Sequence, residues 1–160
     1  MAYEKTLVPV ARTQQHIKEL IHKHGGFGTA FVSQTDPSKA TSVEELQAKV
    51  MMDGKAYAVR VKAKTKAPSK HLSERQRQLF VHQEEKRIWR VLYYHLKGVY
   101  EAADSGVMEF RELMLPYLVT AQGDTIAERL LPQLDMALNS KRLTMGEDED
   151  ASGRPPPTSP

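Results

Sequence analysis

The chain has 160 residues, 40% of them hydrophobic, and its 23 Lys/Arg against 20 Asp/Glu give a formal net charge of +3. This length suits one domain with tails, and the apolar content can support a single core, which argues against global disorder. Because the chain has no cysteine, disulfides, thiolate zinc sites and a cysteine nucleophile are excluded.

The start of the chain and its hydropathy indicate a cytoplasmic protein. Residues 1–6 lack the long apolar run of a signal peptide. No segment approaches the ~18 consecutive apolar residues that a membrane span requires. We therefore expect no membrane partner.

The first predicted element is an amphipathic helix. Thr13 has the side chain of an N-cap, and Ile17, Leu20 and Ile21 recur at the i, i+3, i+4 spacing of one helical face. Gly25-Gly26 follows the last periodic residue and is typical of a helix end. The pattern predicts a helix from Thr13 to the glycine pair.

A small antiparallel sheet is predicted next, with a first strand at Thr29–Gln34 and a hairpin at Asp53-Gly54 that joins residues 45–52 to 55–63. A two-residue Asp-Gly turn fixes the register of the two strands. The register places apolar pairs on one face: Val50–Tyr57, Ala48–Val59 and Leu46–Val61. It places polar pairs on the other face: Gln47–Arg60 and Glu45–Lys62.

The longest predicted element is a helix that begins at a capping box formed by Ser73 and Gln76 and runs to about Asp104, before Ser105-Gly106. At ~100° per residue the helix has two distinct faces. Its apolar face carries Val81, Ile88, Leu92, His95, Val99 and Ala103. Its basic face carries Arg75, His82, Lys86, Arg90 and Lys97, with Tyr93 among them.

Two shorter helices and a tail complete the predicted architecture. One helix covers about Val107–Val119, bent by Pro116, and the other begins at a second capping box formed by Thr125 and Glu128. Pro132 should kink or interrupt the last helix. The sequence thus predicts a single α+β domain over residues 1–145, followed by a disordered acidic and proline-rich tail at 146–160.

Positive charge is concentrated in residues 60–90, which we call the basic segment. It contains ten Lys/Arg and three acids, a local excess of +7, whereas the other residues have thirteen Lys/Arg against seventeen acids. Clustered cations favour phosphate backbones because neutralised phosphates release counterions. We therefore expect largely sequence-independent binding of DNA or RNA. The expected binding residues are Arg60, Lys62, Lys64, Lys66, Lys70, Arg75, Lys86, Arg90, Tyr93 and Lys97, with Tyr93 stacking on bases.

A continuous basic surface requires that the hairpin cations and the cations of the long helix face the same way. The hairpin contributes Arg60 and Lys62, and the helix contributes Lys86, Arg90 and Lys97. If the two groups point in different directions, the hypothesis of a single surface fails.

The sequence contains no motif of an enzyme, a metal site or a cofactor site. The six histidines include no H-E-x-x-H pair, and the acids show no convergence of the kind that two-metal nucleases use. We therefore expect a protein without catalytic activity, metal or cofactor. The alternative is a protein-interaction module that modulates a host enzyme or defence complex, with Tyr and Trp residues as anchors.

Three segments carry a resemblance to a family of small phage and prophage proteins of uncharacterised function. They are Tyr3–Gly25, with its VPV-x-RTQ opening, Trp89–Leu115, which starts with Trp-Arg on a helix, and Gly123–Leu134, with a G-x-T-x-x-E-x-x-x-P pattern. The resemblance implies a mobile-element origin and the cytoplasm of the host cell. It supplies no activity and no functional residues, and Lys62–Arg87 departs most from the family pattern.

The order helix, three strands, helix also resembles the topology of the double-stranded RNA-binding domain. In that fold the basic N-terminus of the second helix contacts phosphates. The corresponding cations here would be Lys62, Lys64, Lys66 and Lys70, which precede the second helix. This helix is about twice the usual length, and two further helices follow it, so the resemblance is one of topology alone.

Overall fold

A computed structural model describes residues 3–145, and the predicted disordered tail at 146–160 lies outside the described residues. The fold belongs to the α+β class, as predicted, with a three-stranded antiparallel sheet and a long second helix. The elements, in chain order, are α1 (Val10–Lys23), β1 (Phe27–Asp36), β2 (Thr41–Met52), β3 (Lys55–Lys64), α2 (Glu74–Asp104), α3 (Phe110–Met114), a 3-10 turn (Leu115–Tyr117) and α4 (Ile126–Met145).

The sheet has the order β1-β2-β3, and the predicted hairpin register is confirmed. Val50 pairs with Tyr57, and Gln47 pairs with Arg60, as do the other predicted partners. Asp53 and Gly54 both have positive φ, at 50° and 73°, which is the geometry of a type I′ turn. The turn residues and the alternation of apolar side chains therefore specify the same register.

The two faces of the sheet differ because side chains alternate along each strand. On the inner face Leu46, Val59 and Val61 are buried. They share one core with buried residues of α1 and α2, including Ile17 and Trp89. The alternate residues of β2 and β3, such as Arg60, therefore lie on the outer face, away from these two helices.

Helix α1 starts earlier than predicted, so the expected N-cap at Thr13 is wrong. The helix begins at Val10, Pro9 occupies the N-cap position without a side-chain cap, and the Thr13 amide donates to the Pro9 carbonyl over 3.2 Å. Thr13 lies inside the helix and is fully buried. Its hydroxyl accepts a tertiary hydrogen bond from Arg90 instead of capping the helix.

Helix α2 has the predicted bounds and the predicted cap. The Ser73 hydroxyl accepts from the Gln76 amide, the Gln76 side chain accepts from the Ser73 amide, and the helix ends at Asp104 before Gly106. His95 does not lie in the core with Ile88, Leu92 and Val99 of the predicted apolar face. His95 is exposed and its Nε2 lies 2.9 Å from the Tyr117 hydroxyl.

The region after α2 departs most from the prediction. Instead of one bent helix over Val107–Val119, a five-residue helix and a 3-10 turn lead into an extended segment, where Leu118 forms a β-bridge to Val59. Pro116 falls in the 3-10 turn, where its missing amide proton is tolerated. Leu118–Val119 therefore lies against the free edge of β3.

Helix α4 begins at the predicted capping box. The Glu128 amide donates to the Thr125 hydroxyl over 3.2 Å, and the Thr125 amide donates to the Glu128 carboxylate over 3.0 Å. The helix continues through Pro132 to Met145, so the proline does not interrupt it. No helix among residues 3–145 combines the length and apolarity needed to cross a bilayer.

Candidate functional site

The hairpin cations of the basic segment form ion pairs within the protein, and Lys62 Nζ also lies 4.0 Å from Glu45 Oε2. Arg60 Nη2 lies 3.0 Å from Glu128 Oε2, and Lys62 Nζ lies 3.0 Å from Glu128 Oε1. The amide of Thr125, followed by the hydrogen bond from Lys62, lowers the pKa of the Glu128 carboxyl. One carboxylate at the start of α4 therefore holds two of the predicted binding residues.

Arg90 is part of the packing between α1 and α2. Its Nη1 lies 3.4 Å from the Thr13 hydroxyl and 3.5 Å from His16 Nδ1. Its guanidinium carbon lies 5.2 Å from the ring centroids of both Tyr93 and Tyr94, which is within the range of cation–π attraction. These contacts assign Arg90 to the stability of the helix pair.

The aromatic residue predicted to stack on bases is partly enclosed. Tyr93 is half-buried against the core, with the His16 ring 5.7 Å away. Tyr94 is more open, at 39% exposed, but Tyr3 stacks on its ring at 5.0 Å. Lys97 lies 3.8 Å from Glu101. The tyrosine pair thus has intramolecular partners on several sides.

The hypothesis of one continuous surface is wrong. Val59 and Val61 point from β3 into the core that α2 covers, so Arg60 and Lys62 point from β3 to the other side of the sheet. Lys86, Arg90 and Lys97 belong to α2 and lie on the helix side of the sheet. Sequence periodicity established the apolar face of the hairpin and only part of that of α2, and it could not relate the two opposite faces to each other.

Four other cations of the basic segment are exposed to solvent and form no ion pair within residues 3–145. Lys64 ends β3, Lys66 and Lys70 lie in the connection to α2, and Arg75 lies in the first turn of α2. All four residues are exposed. None of them forms an ion pair with another residue in the range 3–145. We call these four residues the connection cations. Lys86 is also without an ion pair in that range, but it is half-buried on α2.

A buried ion pair positions the connection. Arg87 Nη2 lies 2.6 Å from Glu84 Oε1, Arg87 Nε lies 2.9 Å from Glu84 Oε2, and the Lys66 amide donates to Glu84 over 3.0 Å. Glu84 and Arg87 are only 6% and 8% exposed. The hydrogen bond from Arg87 is the main cause that lowers the pKa of Glu84. The connection is therefore attached to α2 at Lys66.

Arg77 is a cation near this region that the sequence analysis did not select. It lies in the first turns of α2, half-buried, and has no ion pair within the described part of the chain. With His82 and Glu85 it lines a groove of about 410 Å³ beside the β1–β2 turn. In the sequence, Arg77 is marked only by its place among the cations of residues 60–90. The groove cannot be predicted from the sequence pattern, because it forms between α2 and the β1–β2 turn, which is distant in sequence.

The acidic residues of the described part of the chain are not grouped so that they could hold a metal ion. Glu44 is 3% exposed and accepts hydrogen bonds from the hydroxyls of Ser33 and Ser42. Burial, and secondarily the charge of Glu44, raises the pKa of Glu85. No group of three potential metal ligands converges within residues 3–145.

Comparison with known proteins identified no relative of this chain. No protein-family model, curated protein or solved structure matches this chain.

Proposed function

We propose that this chain is a nucleic-acid-binding accessory protein of a phage or prophage, which holds the phosphate backbone through the connection cations. The observation that supports this proposal is the contrast inside the basic segment. Lys64, Lys66, Lys70 and Arg75 are exposed and without internal ion pairs in residues 3–145, while Arg60, Lys62 and Lys97 face carboxylates. Unpaired exposed cations are the ones that a phosphate can engage without first breaking an ion pair.

The local geometry favours phosphate contacts over base reading. The four cations lie between the end of β3 and the first turn of α2, and the partial positive charge of the α2 N-terminus adds to that of Arg75. Glu74 in the first turn offsets part of that charge. The predicted stacking residue Tyr93 lies elsewhere, against α1. We therefore expect binding that depends weakly on base sequence and strongly on salt, with a slope of log K against log[salt] of about −3 to −4 for duplex DNA.

The test is fluorescence anisotropy with single- and double-stranded DNA and RNA across a salt series. Replacement of Lys66, Lys70 and Arg75 by Glu should abolish binding in all four cases. A matched control replaces the exposed lysines Lys5, Lys18 and Lys55 by Glu, which makes the same change in net charge. An equal loss of affinity in both variants would show that binding depends only on the overall charge of the protein. Unchanged binding in the first variant would refute the proposal.

Replacement of the helix cations Lys86, Arg90 and Lys97 by Glu would not isolate contact with nucleic acid. Arg90 contacts Thr13 and both tyrosine rings, so its replacement by Glu would disturb the packing of α1 on α2. Loss of binding in that variant would report on stability as well as on contact with nucleic acid.

The proposed mobile-element origin and host cytoplasm have separate support. They are implied by the family resemblance of residues 3–25, 89–115 and 123–134, and by no structural feature. Expression of the chain during the growth of a phage that encodes it, followed by cell fractionation, would test both points.

A protein-interaction module is the second candidate, and α4 supports it. Four leucines on one side of this helix are 49% to 53% exposed: Leu130, Leu131, Leu134 and Leu138. An apolar helix face of this kind fits an apolar groove on a partner protein. A pull-down from nuclease-treated host lysate should then recover one partner that is lost with Leu130→Asp plus Leu134→Asp and retained with Val107→Asp, at an exposed valine outside α4. Binding that depends on nucleic acid would count against this candidate.

A further inference from the structure

The two edges of the sheet differ in how they are protected. The β3 edge is partly covered, because the Val119 amide donates to the Ala58 carbonyl over 2.9 Å and Leu118 bridges to Val59. Lys62 and Lys64 add charge along the same strand. Proteins commonly keep a strand edge from pairing with another chain by covering it with a further segment or by placing lysines along it.

The β1 edge has none of these protections in the described part of the chain. β1 is ten residues long and hydrogen-bonds to β2 alone. Its pairing with β2 is regular from Ala30 to Asp36, after a single irregularity between Phe27 and Ala30. Residues 27–35 include no charged side chain and no proline. The strand thus presents a long row of backbone donors and acceptors without partners.

The surroundings of this edge allow another chain to approach. Ala30 and Val32 are exposed on the outer face of β1. On the other side α1 and the start of β1 line an open groove of about 330 Å³, which includes Lys18 and Glu19. Because the helix face beside the edge carries both signs of charge, two copies of it meet without net repulsion.

We propose that β1 pairs antiparallel with β1 of a second copy of this chain, giving a two-fold dimer with a continuous six-stranded sheet. Unpaired strand hydrogen bonds require an extended partner. A two-fold contact between identical strands is self-complementary and closes the assembly. A neutral strand suits its own copy, since like charges do not oppose each other across the axis.

Dimerisation does not depend on nucleic-acid binding, but it would set the spacing between the two sets of connection cations. The connection cations follow β3, at the far edge of each sheet, so pairing through β1 leaves both sets exposed. The two β3 strands would be separated by five strand spacings, about 24 Å in a flat sheet. Two linked binding sites would raise the apparent affinity for long nucleic acids over short ones.

The test is analytical ultracentrifugation of the full chain, without nucleic acid, over a concentration series. The wild-type chain should form dimers that dissociate on dilution. Val32→Lys places a charge on the outer face of β1 near the two-fold axis and should weaken dimerisation at least tenfold. The control Val107→Lys makes the same change at a valine that is 80% exposed and outside the sheet, and it should leave dimerisation unchanged.

Two results would overturn the dimer: a wild-type chain that remains monomeric at all concentrations, or dimers that Val32→Lys leaves intact. Dimers lost with Leu134→Lys but not with Val32→Lys would assign the contact to α4 and also overturn the proposal. Hydrogen exchange in the wild-type chain keeps the test valid if Val32→Lys fails to fold. Alternate amides of residues 30–35 should exchange more slowly as the protein concentration rises, and exchange independent of concentration would refute pairing at this edge.

Discussion

Lys62 Nζ lies 3.0 Å from Glu128 Oε1, although 66 residues separate the two in the chain. Arg60 occupies the second oxygen of the same carboxylate. The start of α4 thus lies on the outer face of β3, where one carboxylate pairs with both cations that the hairpin presents there. The net charge of the basic segment is therefore a poor measure of the charge available to a ligand.

Glu128→Gln should strengthen nucleic-acid binding. Gln retains the capping box with Thr125 but carries no charge, so Arg60 loses its ion pair and Lys62 keeps only its 4.0 Å contact with Glu45. We expect the salt slope to steepen by about one to two, close to one per cation that gains a phosphate. Anisotropy titrations of Glu128→Gln against the exposed control Glu109→Gln measure this. Equal slopes in both variants would show that nucleic acid does not reach the outer face of β3.

Arg87→Met should be among the most destabilising single changes. It leaves the Glu84 carboxylate in a site that is 6% exposed, without its bidentate partner. Breaking a buried pair in this way costs about 3 kcal/mol. Urea unfolding measures the loss, and the double variant Glu84→Gln with Arg87→Met should recover part of it. A double variant no more stable than Arg87→Met would show that the unpaired charge is not the cause.

Gly26→Ala and Gly98→Ala should change stability in opposite directions. A Cβ at Gly26 would lie 2.5 Å from Ile21 Cγ2 and 2.8 Å from the Lys49 carbonyl oxygen. We expect a loss of about 1–3 kcal/mol from overpacking. At Gly98, within α2, a Cβ meets nothing within 4 Å, and Ala should add about 0.5–1 kcal/mol through helix propensity. Thermal or urea unfolding of both variants gives the comparison.

Glu85→Gln should stabilise the fold at neutral pH. Burial, then the nearby Glu44 carboxylate, raises the pKa of Glu85 above its ordinary 4.5. A raised carboxyl pKa means that the folded state binds the proton more tightly, so stability falls as the pH rises from 4.5 through the raised value. The free energy of unfolding of Glu85→Gln should exceed that of the wild type at neutral pH, with the difference shrinking below pH 4.5. A difference that does not vary with pH would contradict the assignment.

The sheet and the long helix could be predicted because their signals are local. The Asp53-Gly54 turn and the alternation around it set the register, and Ser73 with Gln76 marks the start of α2. The start of α1 could not be predicted in the same way. Thr13 has the side chain of an N-cap, but it is buried and bonded to Arg90 from a distant helix.

The structure of the region after α2 and the identity of the open cations could not be predicted, because both depend on contacts between residues distant in sequence. Residues 107–119 have a helical apolar spacing, yet Leu118 pairs with Val59 of β3 and the segment is extended there. The cations of the basic segment were identifiable as a group. Which of them are open depends on Glu128, Glu101 and the packing of α1, and these were known only from the fold.

Leu118 and Val59 form a single isolated bridge. We therefore expect the C-terminal segment to unfold separately from the sheet. Every residue of β2 from Val43 to Gln47 has partners on both sides, whereas the C-terminal segment is held by this bridge, by the packing of Leu118 against the core and by the ion pairs of Glu128. We expect residues 118–145 to detach as a separate folding unit, at a lower free energy than the sheet. Each detachment would uncover the edge of β3 and separate Arg60 and Lys62 from Glu128.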